Sequence, residues 1–147
     1  GTHQSKELVA RQSKPLSRFN VPHRQSPIWP VLKSFSVKIS ARIKVKGSWA
    51  NFSSDCKPLP KHCDLVFSAN TNTPKPYEVY WQVVNTGREA ERAGGLRGAI
   101  FQSETAGAGG LTRRESTLYH GMHWIECFVI KGGKCVARSG EFVVNIA

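Results

Sequence analysis

The sequence predicts an all-β fold, an antiparallel Ig-like β-sandwich of about eight strands with one short helix. Short segments in which apolar and polar residues alternate recur along the 147-residue chain, as in strands that bury one face. Turn-forming residues separate these segments roughly every 8–12 residues, and one stretch alone carries the signals of a helix. A closed β-barrel is the alternative that this pattern leaves open.

The clearest strand is predicted at residues 34–46. Apolar residues from Phe35 to Val45 occupy alternate positions and should face the core. The positions between them form a basic ladder, which is either a solvated face that protects a sheet edge or a track for phosphate groups. The ladder consists of Lys38, Arg42, Lys44 and Lys46.

The stretch from Tyr77 to Gly98 combines a strand with the predicted helix. Its strand carries Trp81 on the same face as two valines, which indicates a buried tryptophan. Thr86 is the predicted N-cap of the helix, with Glu89 completing a capping box. Glycines 94 and 95 should end this helix.

The other segments are shorter. Residues 47–62 and 70–76 are predicted as turn-rich loops, residues 103–110 as a flexible glycine-rich tip, and residues 120–123 as a turn. The glycine-rich tip lacks the lysine of a phosphate-binding P-loop. Further strands are predicted at residues 63–69, 98–102, 113–119, 124–131, 134–139 and 141–146.

The charge of the chain favours anionic partners. The net charge is +11, and residues 1–33 alone carry six basic residues and one acidic residue. Nucleotides, nucleic acid, an acidic protein face and anionic lipid are the partners that such a charge attracts. No apolar run reaches the roughly 18 residues of a membrane span, and no signal peptide is visible, so we expect a cytoplasmic protein without membrane insertion.

The four cysteines are expected to be free thiols. Cys63, Trp81 and Cys127 follow the order of immunoglobulin domains, so we predict that Cys63 and Cys127 lie near each other across the core but stay reduced. A zinc site that combines His120, His123 and cysteines is conceivable, although the sequence contains no CxxC pair. We therefore expect no cofactor.

The N-terminal region is expected to differ from the rest of the chain. Residues 1–21 form a predicted basic linker or tail from a preceding domain, and residues 22–147 form the sandwich domain. Lys6–Arg11 could end a helix of that preceding domain, and the initial Gly-Thr is typical of a cloning remnant in an excised fragment. Prolines should keep residues 21–30 extended, and we expect Trp29 to dock onto the domain.

The sequence contains no recognisable catalytic set. The serines lack a nucleophile-elbow context, the histidines lack a local acid–base motif, and the acidic residues are scattered. A set of stacking and hydrogen-bonding side chains is present instead, near the predicted ends of strands. We select as candidate ligand-binding residues Asn85, Arg88, Arg97, Glu115, Tyr119, His120, His123, His23, Arg24 and Gln25.

Arg97 is the most informative of these candidates. It lies between Leu96 and Gly98, where the chain re-enters the sheet. It could pair internally with a carboxylate such as Glu115 or Glu126, or it could bind a phosphate bidentately. The sequence favours the internal pair slightly.

The chain closely resembles the adenylyl/guanylyl and SMODS C-terminal sensor domain family. The resemblance rests on PYEVYWQVVNTG, on EAERAGGLRG and on RRESTLYHGMHWIECFVIKGGKCVARSGEF, while HRQSPIWP resembles the start of the same domain. It covers roughly residues 22–146. In that family the domain follows bacterial nucleotidyltransferases that resemble cyclic-GMP-AMP synthase and make cyclic oligonucleotide signals in antiphage (CBASS) defence.

This resemblance implies a non-catalytic domain that senses nucleotides or cyclic oligonucleotides and regulates an N-terminal nucleotidyltransferase domain. No catalytic residue carries over, because the acidic triad of the transferase belongs to the preceding domain. Two other functions stay open. One is an Ig-like module that docks the synthase or a partner protein, and the other is nucleic-acid binding through the basic ladder.

Overall fold

Alternating apolar residues form two antiparallel β-sheets that pack face to face, which confirms the predicted sandwich. The computed structural model describes residues 17–147, and the predicted helix end at Lys6–Arg11 lies outside these residues. Besides helix α1 (Arg88–Arg92) and a 3₁₀ helix (Gly107–Leu111), the described part contains nine strands. They are β1 (Val37–Val45), β2 (Ser48–Phe52), β3 (Asp64–Thr71), β4 (Glu78–Val84), β5 (Ile100–Gln102), β6 (Thr112–Ser116), β7 (Gly121–Lys131), β8 (Lys134–Arg138) and β9 (Phe142–Ile146).

The first sheet has the strand order β2-β1-β3-β6, and the second has β5-β4-β7. Two strands pair with the edge of β7 that lies opposite β4. β8 pairs with its C-terminal part and β9 pairs with its N-terminal part. The long β7 is therefore hydrogen-bonded along both edges, as its largely buried residues suggest.

The core lies between the two sheets. On β1 the four residues Val37, Ile39, Ala41 and Ile43 are buried and the intervening residues are exposed, as the alternation predicts. Trp81 of β4 is fully buried, and its Nε1 donates a hydrogen bond to the Gly110 carbonyl at 2.8 Å. The indole is thus satisfied inside the core, which confirms the predicted buried tryptophan.

An N-terminal segment, residues 19–31, covers the outer face of the second sheet. Phe19 packs edge-to-face on Trp124, with ring centroids 5.1 Å apart. Trp29 packs in the same manner on Tyr80 at 4.7 Å, which confirms that it docks onto the domain. Val31 forms a β-bridge with Cys135.

A buried carboxylate fastens this segment to the sheet. Glu126 of β7 faces outward from the core yet is fully buried. Its oxygens accept hydrogen bonds from Arg24 at 3.1 Å and from Arg138 at 2.6 Å. Arg24 also pairs with Glu141 at 2.7 Å and stacks over Trp124. These partners neutralise a charge that would otherwise be costly to bury.

The prediction of a loop over residues 47–62 was wrong at its start, because β2 lies there. Lys46 and Gly47 both have positive φ (49° and 83°), the geometry of a two-residue hairpin turn that leads β1 directly into β2. β2 is an edge strand whose residues are almost all exposed. It therefore lacks the apolar alternation by which the other strands are recognised.

The predicted capping box is also wrong. The N-cap residue is Gly87, and no side chain caps α1. The Thr86 hydroxyl instead donates to the Met122 carbonyl, and Glu89 accepts hydrogen bonds from Lys61 and from the His120 backbone N–H. Met122 belongs to the neighbouring strand β7, and Lys61 and His120 lie in loops, so tertiary partners take both side chains. The predicted stop at glycines 94 and 95 is confirmed.

Two other predicted connections contain regular structure. Part of the glycine-rich tip forms the 3₁₀ helix that receives the Trp81 hydrogen bond. The predicted turn at residues 120–123 is wrong for its last three residues, because β7 begins at Gly121 and its first residues pair with β9. Pairing with a strand that comes later in the chain is not visible in a local pattern.

All four cysteines are free thiols. Cys127 is fully buried on β7, and burial raises the pKa of its thiol. Cys63 packs at the margin of the same core, where its Sγ donates to the Lys61 carbonyl. The proximity of Cys63 to Cys127 stays a prediction. Among the described residues, no helix is long and apolar enough to cross a membrane.

Replacement of Trp81 by alanine should lower the free energy of unfolding by about 3–5 kcal/mol, because it leaves a large cavity in the core and an unpaired Gly110 carbonyl. Denaturant unfolding measures the change. Trp49→Ala is the control, since Trp49 is partly exposed and should cost less than about 1 kcal/mol. Equal losses in the two variants would contradict the core role of Trp81.

Glu126→Gln should also destabilise the fold, by about 3–5 kcal/mol, because Arg24 and Arg138 lose their shared buried carboxylate. The exposed Glu91, which makes no ion pair within residues 17–147, provides the control Glu91→Gln. Chemical unfolding of both variants tests the prediction. A Glu126→Gln protein as stable as the control would show that the buried charge contributes no net stability.

Candidate functional site

A cavity of about 280 Å³ opens at one end of the sandwich, between the two sheets. Its volume is close to the lower limit of typical small-molecule sites. The floor is apolar and receives side chains from both sheets: Leu65, Phe67, Val83, Ile125, Val144 and Ile146. The rim is polar and includes five of the ten candidate residues: Asn85, Arg97, Glu115, Tyr119 and His123.

Glu115 is the central charged group of the rim. It lies on the edge strand β6 in register with Leu65, so its side chain shares the inward face. Arg97 Nη1 donates to it at 2.7 Å, and Arg113 Nε donates at 2.8 Å. The internal pair of Arg97 with Glu115 is thus present. Two guanidinium groups share one carboxylate, which leaves this part of the rim with a net positive charge.

Asn85 and the loop after α1 form one wall of the cavity. The Asn85 side-chain amide donates to the Gly95 carbonyl at 2.9 Å, and its backbone N–H donates to the Arg97 carbonyl at 3.2 Å. Tyr119 lies directly against Gly95. A Cβ atom at Gly95 would collide with the Tyr119 ring, so a side chain there would force that ring to move.

His123 is buried at the inner side of the rim. Its Nδ1 accepts the Thr86 backbone N–H at 3.0 Å, and its Nε2 donates to the Tyr119 carbonyl at 2.8 Å. Burial lowers the pKa of His123. A protonated ring could no longer accept the Thr86 N–H, so the neutral ring fits this position. His123 therefore holds the Thr86 corner against the Tyr119 loop.

His23, Arg24 and Gln25 lie behind the cavity wall, on the N-terminal segment. His23 Nε2 donates to the Asn85 carbonyl at 2.7 Å. The Gln25 side-chain oxygen accepts the Ile100 N–H at 2.7 Å, and its backbone N–H donates to the Gly98 carbonyl at 2.8 Å. Arg24 is engaged by Glu126 and Glu141. These three residues connect the segment to the sheet and do not line the cavity.

Arg88 and His120 do not line the cavity. Arg88 is exposed on α1, and His120 is exposed in the β6–β7 connection, where its backbone N–H donates to Glu89. Other parts of the site are not among the ten candidates. Leu96 and Leu118 are exposed apolar side chains that line the cavity, and Arg113, whose guanidinium group was recognised as a possible phosphate donor but not selected, is the second partner of Glu115.

Within residues 17–147, no group of three or more histidine, cysteine or acidic side chains is arranged to hold a metal ion. The cavity combines an apolar floor with a few convergent polar groups, the usual composition of a small-molecule site.

The family model of the adenylyl/guanylyl and SMODS C-terminal sensor domain matches residues 19–147. The chain belongs to this family. Comparison with curated proteins finds no match. The matched region includes the whole cavity, the N-terminal segment and both sheets of the sensor domain, and the family is a sensor domain rather than a catalytic one.

Arg97→Lys should lower the melting temperature of the sensor domain without any added nucleotide, because lysine keeps the charge but loses the two-pronged contact with Glu115. Since Arg97 is partly exposed, the loss should be about 0.5–1 kcal/mol, or a few degrees. Differential scanning calorimetry measures it.

The matched control is Arg88→Lys, because Arg88 is exposed and makes no ion pair within the described residues. Its melting temperature should equal that of the wild type. If the Arg97→Lys protein has the same melting temperature as this control, the Arg97–Glu115 pair does not stabilise the fold.

Proposed function

We propose that this sensor domain binds a nucleotide or cyclic oligonucleotide in the cavity and thereby regulates an attached nucleotidyltransferase. The domain itself performs no catalysis in this proposal. The observation that carries it is the cavity, where Asn85, Arg97, Glu115, Tyr119 and His123 surround an apolar floor. The description of the family as a sensor of adenylyl/guanylyl and SMODS proteins supports the ligand class.

The base and the phosphate of a nucleotide match the apolar floor and the polar rim of the cavity, respectively. The apolar floor suits a planar base, and Tyr119 adds a ring at the rim for stacking. The side-chain nitrogen of Asn85 donates to the Gly95 carbonyl. The side-chain oxygen of Asn85 is therefore the atom offered to an amino group of a base. Arg97 and Arg113 carry one more charge than Glu115 can neutralise, which attracts a phosphate.

The cavity wall also provides a route from ligand to N-terminal segment. His23 binds the Asn85 carbonyl, and the Gln82 side chain donates to both the Gln25 and Gly98 carbonyls at 2.8 Å. A Cβ atom at Gly98 would come within 1.9 Å of the His23 carbonyl oxygen, so wall and segment are in direct contact. A ligand that displaces the wall would displace the segment, through which a preceding transferase domain would receive the signal.

We place this function in the bacterial cytoplasm, within antiphage defence by cyclic oligonucleotides. The family description supports the association with a nucleotidyltransferase. The four free thiols support a reducing compartment.

Isothermal titration calorimetry with a panel of mononucleotides, dinucleotides and cyclic oligonucleotides tests the proposal. At least one of them should bind to the wild type. Leu118→Asp places a negative charge at the exposed edge of the cavity, so it should weaken that binding about tenfold or more by repelling phosphate.

Leu32→Asp is the matched control, because Leu32 is as exposed as Leu118 (45% and 46%) but does not line the cavity. Its affinity should equal that of the wild type. No heat of binding from any nucleotide at about 1 mM would overturn the proposal, as would equal weakening in the two variants.

A further inference from the structure

The outer face of the first sheet carries a group of cations on rigid strands. Lys38, Arg42 and Lys44 project outward from β1, and Arg114 projects from β6. Arg42 and Arg114 stand in register with Val66 of the intervening strand β3. Because neighbouring strands lie about 4.8 Å apart, the two arginine backbones are separated by roughly 10 Å. We call these four cations the basic face.

The basic face lacks internal charge partners. Within residues 17–147, none of its four cations makes an ion pair, whereas Arg24, Arg97, Arg113 and Arg138 each pair with a carboxylate. The same outer surface carries one acidic residue among the described strands, Asp64, opposite Lys44. The four cations are therefore available to an external anion.

Packing restricts the cations of the basic face. Val66 points outward, yet it is only 4% exposed, and its register neighbours on both sides are Arg42 and Arg114, whose apolar stems are long enough to cover it. Arg42 and Lys44 also lie over the Trp49 ring, at 5.2 and 5.9 Å from its centroid. These contacts reduce the entropy that the cations would lose on binding a ligand.

Polar side chains continue the basic face across the sheet. Ser40, Ser68 and Thr112 stand in register on β1, β3 and β6. Strand β2 ends at Phe52, before it reaches the start of β1. A groove of about 610 Å³ lies there, lined in part by Lys38, Ser40, Arg42 and Ser68, and also by Glu141, which is paired with Arg24. Cations interleaved with hydroxyl groups are the side chains that contact the phosphates and sugars of nucleic acids.

We propose that the basic face binds single-stranded nucleic acid through its phosphate backbone. This goes beyond nucleotide sensing and uses none of the cavity side chains. An open sheet face with spaced cations and an exposed tryptophan fits a single strand, whereas reading a duplex requires an element that enters a groove. A membrane surface is disfavoured, because Trp49 is the one large apolar side chain exposed on this face of the described sheet, and insertion needs several.

Fluorescence anisotropy of the full chain with a labelled oligouridylate of about 12 nucleotides tests the proposal. Affinity should fall with salt, with a log–log slope near −3 if all four cations contact phosphates. The double variant Arg42→Gln/Arg114→Gln should bind at least about tenfold more weakly, and its slope should be shallower by about 1.4. Glutamine keeps most of the stem that covers Val66.

The control is Arg92→Gln/Lys134→Gln, which removes the same charge from exposed positions outside the basic face and should bind within about twofold of the wild type. Thermal melting verifies that both variants are folded. Equal weakening in the two variants would overturn the proposal, because net charge alone would then explain binding. So would the absence of binding at about 50 mM salt, a preference for duplex, or binding to anionic vesicles but not to RNA.

Discussion

The arrangement of this domain depends on the burial of one negative charge, the Glu126 carboxylate. It points away from the core, toward a face that would be open to solvent in a simple two-sheet sandwich. Arg138 reaches it from the neighbouring strand, and Arg24 reaches it from the N-terminal segment. Because a buried carboxylate needs such partners, the segment is drawn across the second sheet and excludes water from its outer face.

Because the N-terminal segment covers the outer face of the second sheet only, the outer faces of the two sheets differ. On the second sheet, the N-terminal segment brings aromatic side chains onto Tyr80 and Trp124 and contacts the wall of the cavity through His23. On the first sheet, no described segment covers the strands at Arg42 and Arg114, and their charges face solvent. A ligand in the cavity and a polymer on the basic face would thus contact opposite sides of the domain.

Some cations of the domain form ion pairs within the fold, whereas others have no carboxylate partner among the described residues. Arginines at the cavity and at the N-terminal segment form ion pairs with Glu115, Glu126 and Glu141, and these pairs connect parts of the fold. On the first sheet, the head groups of Arg42 and Lys44 lie over the Trp49 ring, and no cation of the basic face has a carboxylate partner among the described residues. Net charge alone therefore says little about binding, since position decides which cations remain available.

Local periodicity in the sequence determined the strands that bury one face and the buried Trp81, because burial of apolar side chains imposes a pattern that is read within a few residues. The docking of Trp29 was predicted on another ground, because a tryptophan is unusual in a solvated linker. The exposed strand β2 carries no such pattern, so it was missed. Half of the candidate residues meet at the cavity, but only the tertiary structure shows that the sheets separate there over an apolar floor.

The tertiary structure also decided how individual polar side chains are used. Thr86 and Glu89 have the spacing of a capping box, yet they bind Met122, Lys61 and His120, which are distant in sequence. Arg24 has the chemistry of a phosphate ligand, but Glu126 lies within its reach after folding. The sequence determines what a polar side chain can bind, and the packing of distant strands determines which partner it meets, because only the folded chain sets those distances.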